Sequence, residues 1–300
     1  MEHSFQRYLI SKQTVDDRAL NRRVFQALRA CLPAKETLLV TEVGAGTGTM
    51  LRRLIDWGLW MQTDYTLVDE SPENMAYARE WLAGWARERG LQMEEGIDSL
   101  QLSQENRQVS AHFVTADAFE FIRSQPGRAD LLIANAFLDL LPLPSSLPPL
   151  FSLIQPGGLA WLTLNFDGAS IFEPAIDPAL DAQVEMLYHR SMDERLTAGL
   201  PSGDSRTGRH LFTYLRQAGA EILEAGASDW VVFPQDEGYP ADEAYFLECI
   251  LDFFKSSLSG HPELNGRDFA AWLAARQAQI DRHELVYIAH QIDFLVKVLG

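Results

Sequence analysis

The run VTEVGAGTGTM (40–50) carries the clearest chemistry in the chain. Gly44, Gly46 and Gly48 follow an apolar β-branched stretch and precede a helical one. Glycines at such a junction let the backbone come close to a ligand, and the helix start adds unpaired N–H donors. The next apolar run ends in Asp69, 21 residues after Gly48. A carboxylate there can accept hydrogen bonds from the two hydroxyls of a ribose, and Glu70 stands beside it. A dinucleotide loop would read GxGxxG, but Thr49 stands where its third glycine belongs, and no GK[ST] of a phosphate loop follows. Asp117 lies in TADAF and Asn135 in IANAF, each closing a further apolar run. Each has a plain structural alternative: Asp69 as a helix cap (Ser71 suits that better), Asp117 as a cap, Asn135 as a partner for backbone groups.

Taken together, these residues resemble the class I S-adenosylmethionine-dependent methyltransferases over roughly residues 35–235. The resemblance implies that Glu42, Gly44, Ala45, Gly46 and Gly48 hold the methionine part of the cofactor and that Asp69, with Glu70, binds its ribose. It also implies that Asp117 and Ala118 lie at the adenine and that Asn135 begins the methyl-transfer site. PGG at 156–158 is a further common family feature. Strand four lacks the NPPY-type tetrapeptide of enzymes that methylate adenine or glutamine, and no Pro-Cys nucleophile of the cytosine C5 enzymes occurs.

Methyl transfer is an in-line displacement that needs alignment and dryness more than a base. If the acceptor must lose a proton, His210, His290 and His189 are candidates, each with a structural reading as a hydrogen-bonded histidine. The stretch 8–21 is rich in functional groups: Tyr8, Lys12, Asp16, Asp17, Arg18 and Asn21 are candidates to close over the cofactor or meet the substrate, against the reading of a solvated helix face. Arg206 and Arg209, beside His210, are candidates for an anionic substrate group.

The elements that must position these groups alternate. Thr14 to Cys31 reads as one helix with apolar residues at 3- and 4-residue steps. Strands are expected at 37–43, 65–71, 111–117, 129–137, 157–166 and 221–233, with helices between them, which predicts an α/β, doubly wound, mostly parallel sheet. The tail 285–297 fits either a helix or a strand, and its β-branched and aromatic residues favour a seventh strand. The expected organisation is an N-terminal helical segment over the cofactor site (1–34), a core (35–235) with an insertion at 167–208, a helical cap insertion (236–283) and a terminal strand or helix (284–300). Trp57, Trp60 and Trp85 read as core residues.

Composition narrows the function classes. The chain has 300 residues with 25 Lys and Arg against 42 Asp and Glu, a net charge of −17 that repels phosphate backbones and anionic membranes. Two cysteines without CxxC spacing support neither a disulfide framework nor a zinc site, and no metal is expected. No apolar run of spanning length or signal-peptide character appears, so a cytoplasmic location is expected. The favoured expectation is methyl transfer from S-adenosylmethionine to a small molecule on O, N or C. The alternatives are a cofactor-binding regulatory or partner-binding protein without turnover and, less compatible with the loop, a nicotinamide-dependent oxidoreductase.

Overall fold

The structure is a computed structural model that describes residues 4–59, 62–197 and 199–299. Three short helices open it: α1 (Phe5–Ser11), α2 (Gln13–Ala19) and α3 (Arg22–Cys31). The single helix expected from Thr14 onward is therefore broken at Leu20 and Asn21. Asn21 caps α3 by accepting from the N–H of Arg23 and Val24, its own N–H donates to Asp293 at 2.8 Å, and its side chain donates to the Ala227 carbonyl at 2.7 Å. Those anchors on the sheet edge outweigh local helical spacing.

The alternating part comprises β1 (Leu38–Val43), α4 (Thr49–Asp56), β2 (Gln62–Asp69), α5 (Pro72–Glu88), β3 (Gln92–Glu95), β4 (Ser99–Gln104), β5 (Arg107–Thr115), α6 (Ala118–Ser124) and β6 (Ala129–Asn135). After a 3-10 turn at Leu138–Leu140 come α7 (Leu147–Phe151), β7 (Ile154–Glu173), α8 (Pro178–Asp193), β8 (Leu196–Thr197) and β9 (Leu200–Pro201). The rest is α9 (Thr207–Gln217), β10 (Ala220–Ala227), β11 (Trp230–Val232), α10 (Glu243–Leu258), α11 (Gly266–Asp281) and β12 (Val286–Val298).

One sheet runs β10-β12-β7-β6-β1-β2-β5-β4-β3, with β11 also on β12. The seven expected strands run without interruption from one edge of it: β5, β2, β1, β6 and β7 are parallel, and β12 is antiparallel to both β7 and β10. Ten strands replace the expected seven, because the β3–β4 ribbon extends one edge and the stretch 221–233 divides into β10 and β11. The tail is a strand. β6 is buried along both faces from Ala129 to Ala134, which explains its unbroken apolar sequence.

The expected insertion at 167–208 begins inside β7, whose 20 residues run well past Asp167. Register shifts against β12 near Gln291 and Phe294 bend the pair, and the far half of β7 underlies a helical cap. Phe172, Phe246, Phe254, Trp272 and Tyr287 form the cap's own apolar cluster, separate from those on the two faces of the sheet. Trp57 and Trp85 pack against the cluster that includes Leu28 and Leu54, while Trp60 lies outside the described residues. No described helix is long and apolar enough to cross a membrane.

The cap is pinned by a buried ion pair. Arg276 Nη2 donates to Asp181 Oδ1 at 2.5 Å, and Trp272 Nε1 donates to the same oxygen at 2.6 Å. Asp181→Ala leaves the fully buried guanidinium without its counter-charge, so it should destabilise the protein by about 3 kcal/mol in chemical denaturation. An unchanged midpoint and slope would show that the pair contributes nothing.

Candidate functional site

The parallel strands bring their C-terminal ends to one edge, and the order reverses between β1 and β6, where open α/β sheets place ligands. A cavity of about 1230 Å³ lies there. Its sheet-side wall is the loop Gly44–Gly46 with Thr47. The three glycines have φ of +64°, +54° and +74°, a region that L side chains rarely occupy. At Gly44 a Cβ would stand 2.5 Å from Phe137 Cδ2, and at Gly46 it would stand 3.0 Å from Leu9 Cδ1.

Asp69 fastens the loop. Its Oδ2 accepts from the Gly46 N–H at 2.8 Å, while Oδ1 accepts from the Ser71 N–H and from Asn74 Nδ2, both at 3.0 Å. A carboxylate has about four acceptor positions, so one direction is left for a ligand. Ser71 caps α5 by accepting from the Asn74 N–H. Glu42 is buried beneath the loop, where Tyr65 donates to its Oε2 at 2.7 Å. Burial pushes the Glu42 carboxyl up to about 8, against the Tyr65 hydrogen bond and the Arg53 charge, and nearby Asp69 adds to the rise.

Asp117 and Ala118 line the cavity at the end of β5, with Asp117 also capping α6 through the Glu120 N–H at 2.9 Å. Asn135 lines it at the end of β6 and accepts from Thr163 Oγ1 at 2.8 Å. Glu42, Gly44, Ala45, Gly46, Asp69 and Glu70 also line it. Gly48 stands behind the wall, where a Cβ would meet Leu82 Cδ1 at 3.0 Å; its place is in helix-to-sheet packing.

Of the residues expected to meet substrate, Tyr8 and Lys12 line the cavity. Lys12 Nζ donates to Asp16 at 3.0 Å, and Tyr8 meets Phe253 edge to face. The others do not reach it. Arg18 holds both oxygens of Glu243 at 2.6 and 2.8 Å, and Arg209 is paired with Asp167 at 2.8 Å. Arg206 lies at the cap of α9. His210 is bound to Asp204 at 3.0 Å, His290 to Asp229 at 2.7 Å, and His189 lies 3.2 Å from Ser170 Oγ. Arg206 aside, these basic groups serve neighbouring carboxylates or hydroxyls, as an acidic chain allows.

The cap side of the wall consists largely of residues the sequence did not single out, among them Asp139, Tyr188, Arg195, Trp230, Tyr287 and Gln291. Only Asp139 had a local signal: it is a charge within an otherwise apolar stretch, four residues after Asn135.

No family model and no curated protein matches this chain. Among solved structures, a methyltransferase candidate from Bacillus halodurans aligns over 92% of this chain and 99% of that one, with 11% identity and a TM-score of 0.51. An S-adenosylmethionine-dependent methyltransferase from Thiobacillus denitrificans, solved with S-adenosyl-L-homocysteine, aligns over 99% of each chain at 15% identity and a TM-score of 0.46. The [4+2]-cyclase SpnF aligns over 91% of this chain and 80% of its own at 18% identity and a TM-score of 0.43. The likeness to the Bacillus halodurans protein is one of fold, and the architecture is the Rossmann-like fold of the class I methyltransferases.

Proposed function

We propose that this protein transfers a methyl group from S-adenosylmethionine to a small molecule held between the sheet and the helical cap. The observation that carries this reading is the left-handed glycine loop, tied to Asp69 through the Gly46 N–H and lining a cavity that also has an aromatic wall. The cavity exceeds the ~300–1,000 Å³ usual for a single ligand, which leaves room for a cofactor and an acceptor together.

The residues present suit the cofactor. Gly44 and Gly46 hold the left-handed turn that brings the loop backbone to the cavity, with Phe137 and Leu9 packed on them, and Thr47 Oγ1 on the same wall is buried without a partner. Asp69 has an acceptor direction left for a ribose hydroxyl, Asp117 and Ala118 flank the place of an adenine, and Glu42, once a cationic ligand displaces its proton, is the anion for the methionine end. When bound, S-adenosylmethionine supplies an electrophilic methyl on a sulfonium sulfur. The chain orients the two reactants and excludes water, with α1 over the loop and α8 and α10 over the acceptor.

Calorimetric titration with S-adenosylmethionine, S-adenosylhomocysteine and NAD tests the reading. Both adenosyl ligands should bind in the micromolar range and NAD should not. Asp69→Asn should weaken them by at least about tenfold, the worth of one hydrogen bond to a charged acceptor. NAD binding alone, or no binding of any of the three, would sink the methyltransferase reading.

A further inference from the structure

The acceptor half of the cavity has a polarity of its own. Its aromatic wall is formed by Tyr8, Phe166, Tyr188, Trp230, Phe253 and Tyr287. Two acceptor atoms in this wall are buried and have no hydrogen-bond partner: Asp139 Oδ1 and Gln291 Oε1. The Gln291 side chain belongs to a residue only 2% exposed. Buried polar atoms left unpaired are costly, so two lone acceptors on one cavity wall call for a ligand that brings protons.

The main chain of Asp139 is clamped, and its side chain lies at the cavity wall with Oδ1 buried and unpartnered. Arg195 Nη2 donates to the Asp139 carbonyl and Arg195 Nε donates to Ser202 Oγ at 2.9 Å. Gly203 lies so close that a Cβ there would come 2.6 Å from Asp139 Cα. Asp139 follows Phe137, the ring that rests on Gly44, so it stands where the loop half of the cavity meets the aromatic half. Burial raises the Asp139 carboxyl above its ordinary value against the opposing charges of Arg195 and Lys12, which suits a group that must take up a proton.

We infer that the acceptor is a neutral, ring-bearing hydroxyl compound, a phenol or enol, and that Asp139 is the base that takes its proton. The inference rests on the methyltransferase reading. The Asp139 carboxylate receives the hydroxyl proton as the oxygen bonds to the methyl carbon; the carbon–sulfur bond breaks with its electron pair going to sulfur, leaving a methyl ether, a thioether and a protonated Asp139. Lys12 and Arg195 on the same wall favour the developing oxyanion and disfavour an ammonium acceptor. The Asp139 carboxylate disfavours a carboxylate acceptor.

The test uses the full chain with S-adenosylhomocysteine and three probes of one shape: 2-naphthol, 2-naphthoate and 2-naphthylmethylamine. 2-Naphthol should bind at least about tenfold more tightly than either charged probe. Excited 2-naphthol is a strong acid, so the bound probe should emit as the naphtholate only where an acceptor touches its hydroxyl. That emission should revert to the neutral form in Asp139→Asn, with probe affinity reduced by about tenfold. Tighter binding of a charged probe, or naphtholate emission that survives in Asp139→Asn, would overturn the assignment. If the variant fails to fold, 2-methoxynaphthalene replaces it as the control, and binding equal to that of 2-naphthol overturns the inference. Failure of S-adenosylhomocysteine to bind the wild type removes the methyltransferase reading and this inference together. Cofactor binding without 2-naphthol binding removes this inference alone.

Discussion

Gly44→Ala is expected to weaken S-adenosylhomocysteine binding by at least about 100-fold while the sheet stays folded. Two costs combine. At φ +64° the alanine occupies left-handed backbone, which costs roughly 1–2 kcal/mol for a residue with a Cβ. Its Cβ also stands 2.5 Å from Phe137 Cδ2, inside any real contact distance, and the ring cannot withdraw freely. Phe137 packs against the apolar cluster around Leu138 and Leu162, and Asn135 just before it is held by Thr163. Relief must therefore come from the loop, which takes the Gly46 N–H away from Asp69. Phe137→Ala added to Gly44→Ala should restore part of the affinity, because it removes the collision but not the backbone strain. Gly46→Ala should be milder, since its neighbour is the flexible end of Leu9 at 3.0 Å. Calorimetry with a thermal melt on each variant reads the series. Wild-type affinity in Gly44→Ala would mean that the loop does not touch the ligand.

Glu42→Gln is expected to abolish a pH dependence that the wild type shows. The folded, ligand-free protein holds the Glu42 proton up to about pH 8, far above the ordinary 4.5, because burial outweighs the help of Tyr65 and Arg53. A cationic ligand beside this group favours the carboxylate, so S-adenosylmethionine binding should release a proton. Its affinity should rise by up to about tenfold per pH unit below that point and flatten above it. The stability effect has the opposite sense. Between pH 4.5 and about 8 the folded chain binds a proton that the unfolded chain has lost, so ligand-free stability falls as pH rises through this window. Glu42→Gln should match the wild type near pH 4 and exceed it near pH 8 by up to a few kcal/mol. Parallel affinity curves for the two proteins would contradict the role given to Glu42.

Much of the frame could be read from sequence because the relevant signals are local. The buried central strands are unbroken apolar runs, and the ends of β1, β2, β5 and β6 carry the residues with chemical character. Pro72 and Ser71 open α5 as their types predict. What escaped was set by distant partners. β4 alternates, with Leu100 and Leu102 buried and its polar residues outward, but the strand is short and forms only between its partners β3 and β5. The break at Asn21 depends on Asp293, more than two hundred residues further along. The basic candidates Arg18 and Arg209 looked available because sequence does not reveal Glu243 and Asp167 as their partners. The acceptor wall draws Tyr188, Trp230 and Gln291 from three remote segments, so no spacing rule joins them.

The place of β12 bears on how the molecule is made. It lies inside the sheet, hydrogen-bonded to β7 on one side and to β10 and β11 on the other. During synthesis, every other strand emerges before the one that joins them. Until residues 286–298 leave the ribosome, β7 and β10 face a vacant slot with their peptide groups unpaired, and Phe172 lacks the Tyr287 ring it packs against. From the completion of β10 until β12 emerges, the nascent chain therefore carries a sticky, half-built sheet, a window in which a chaperone has something to hold.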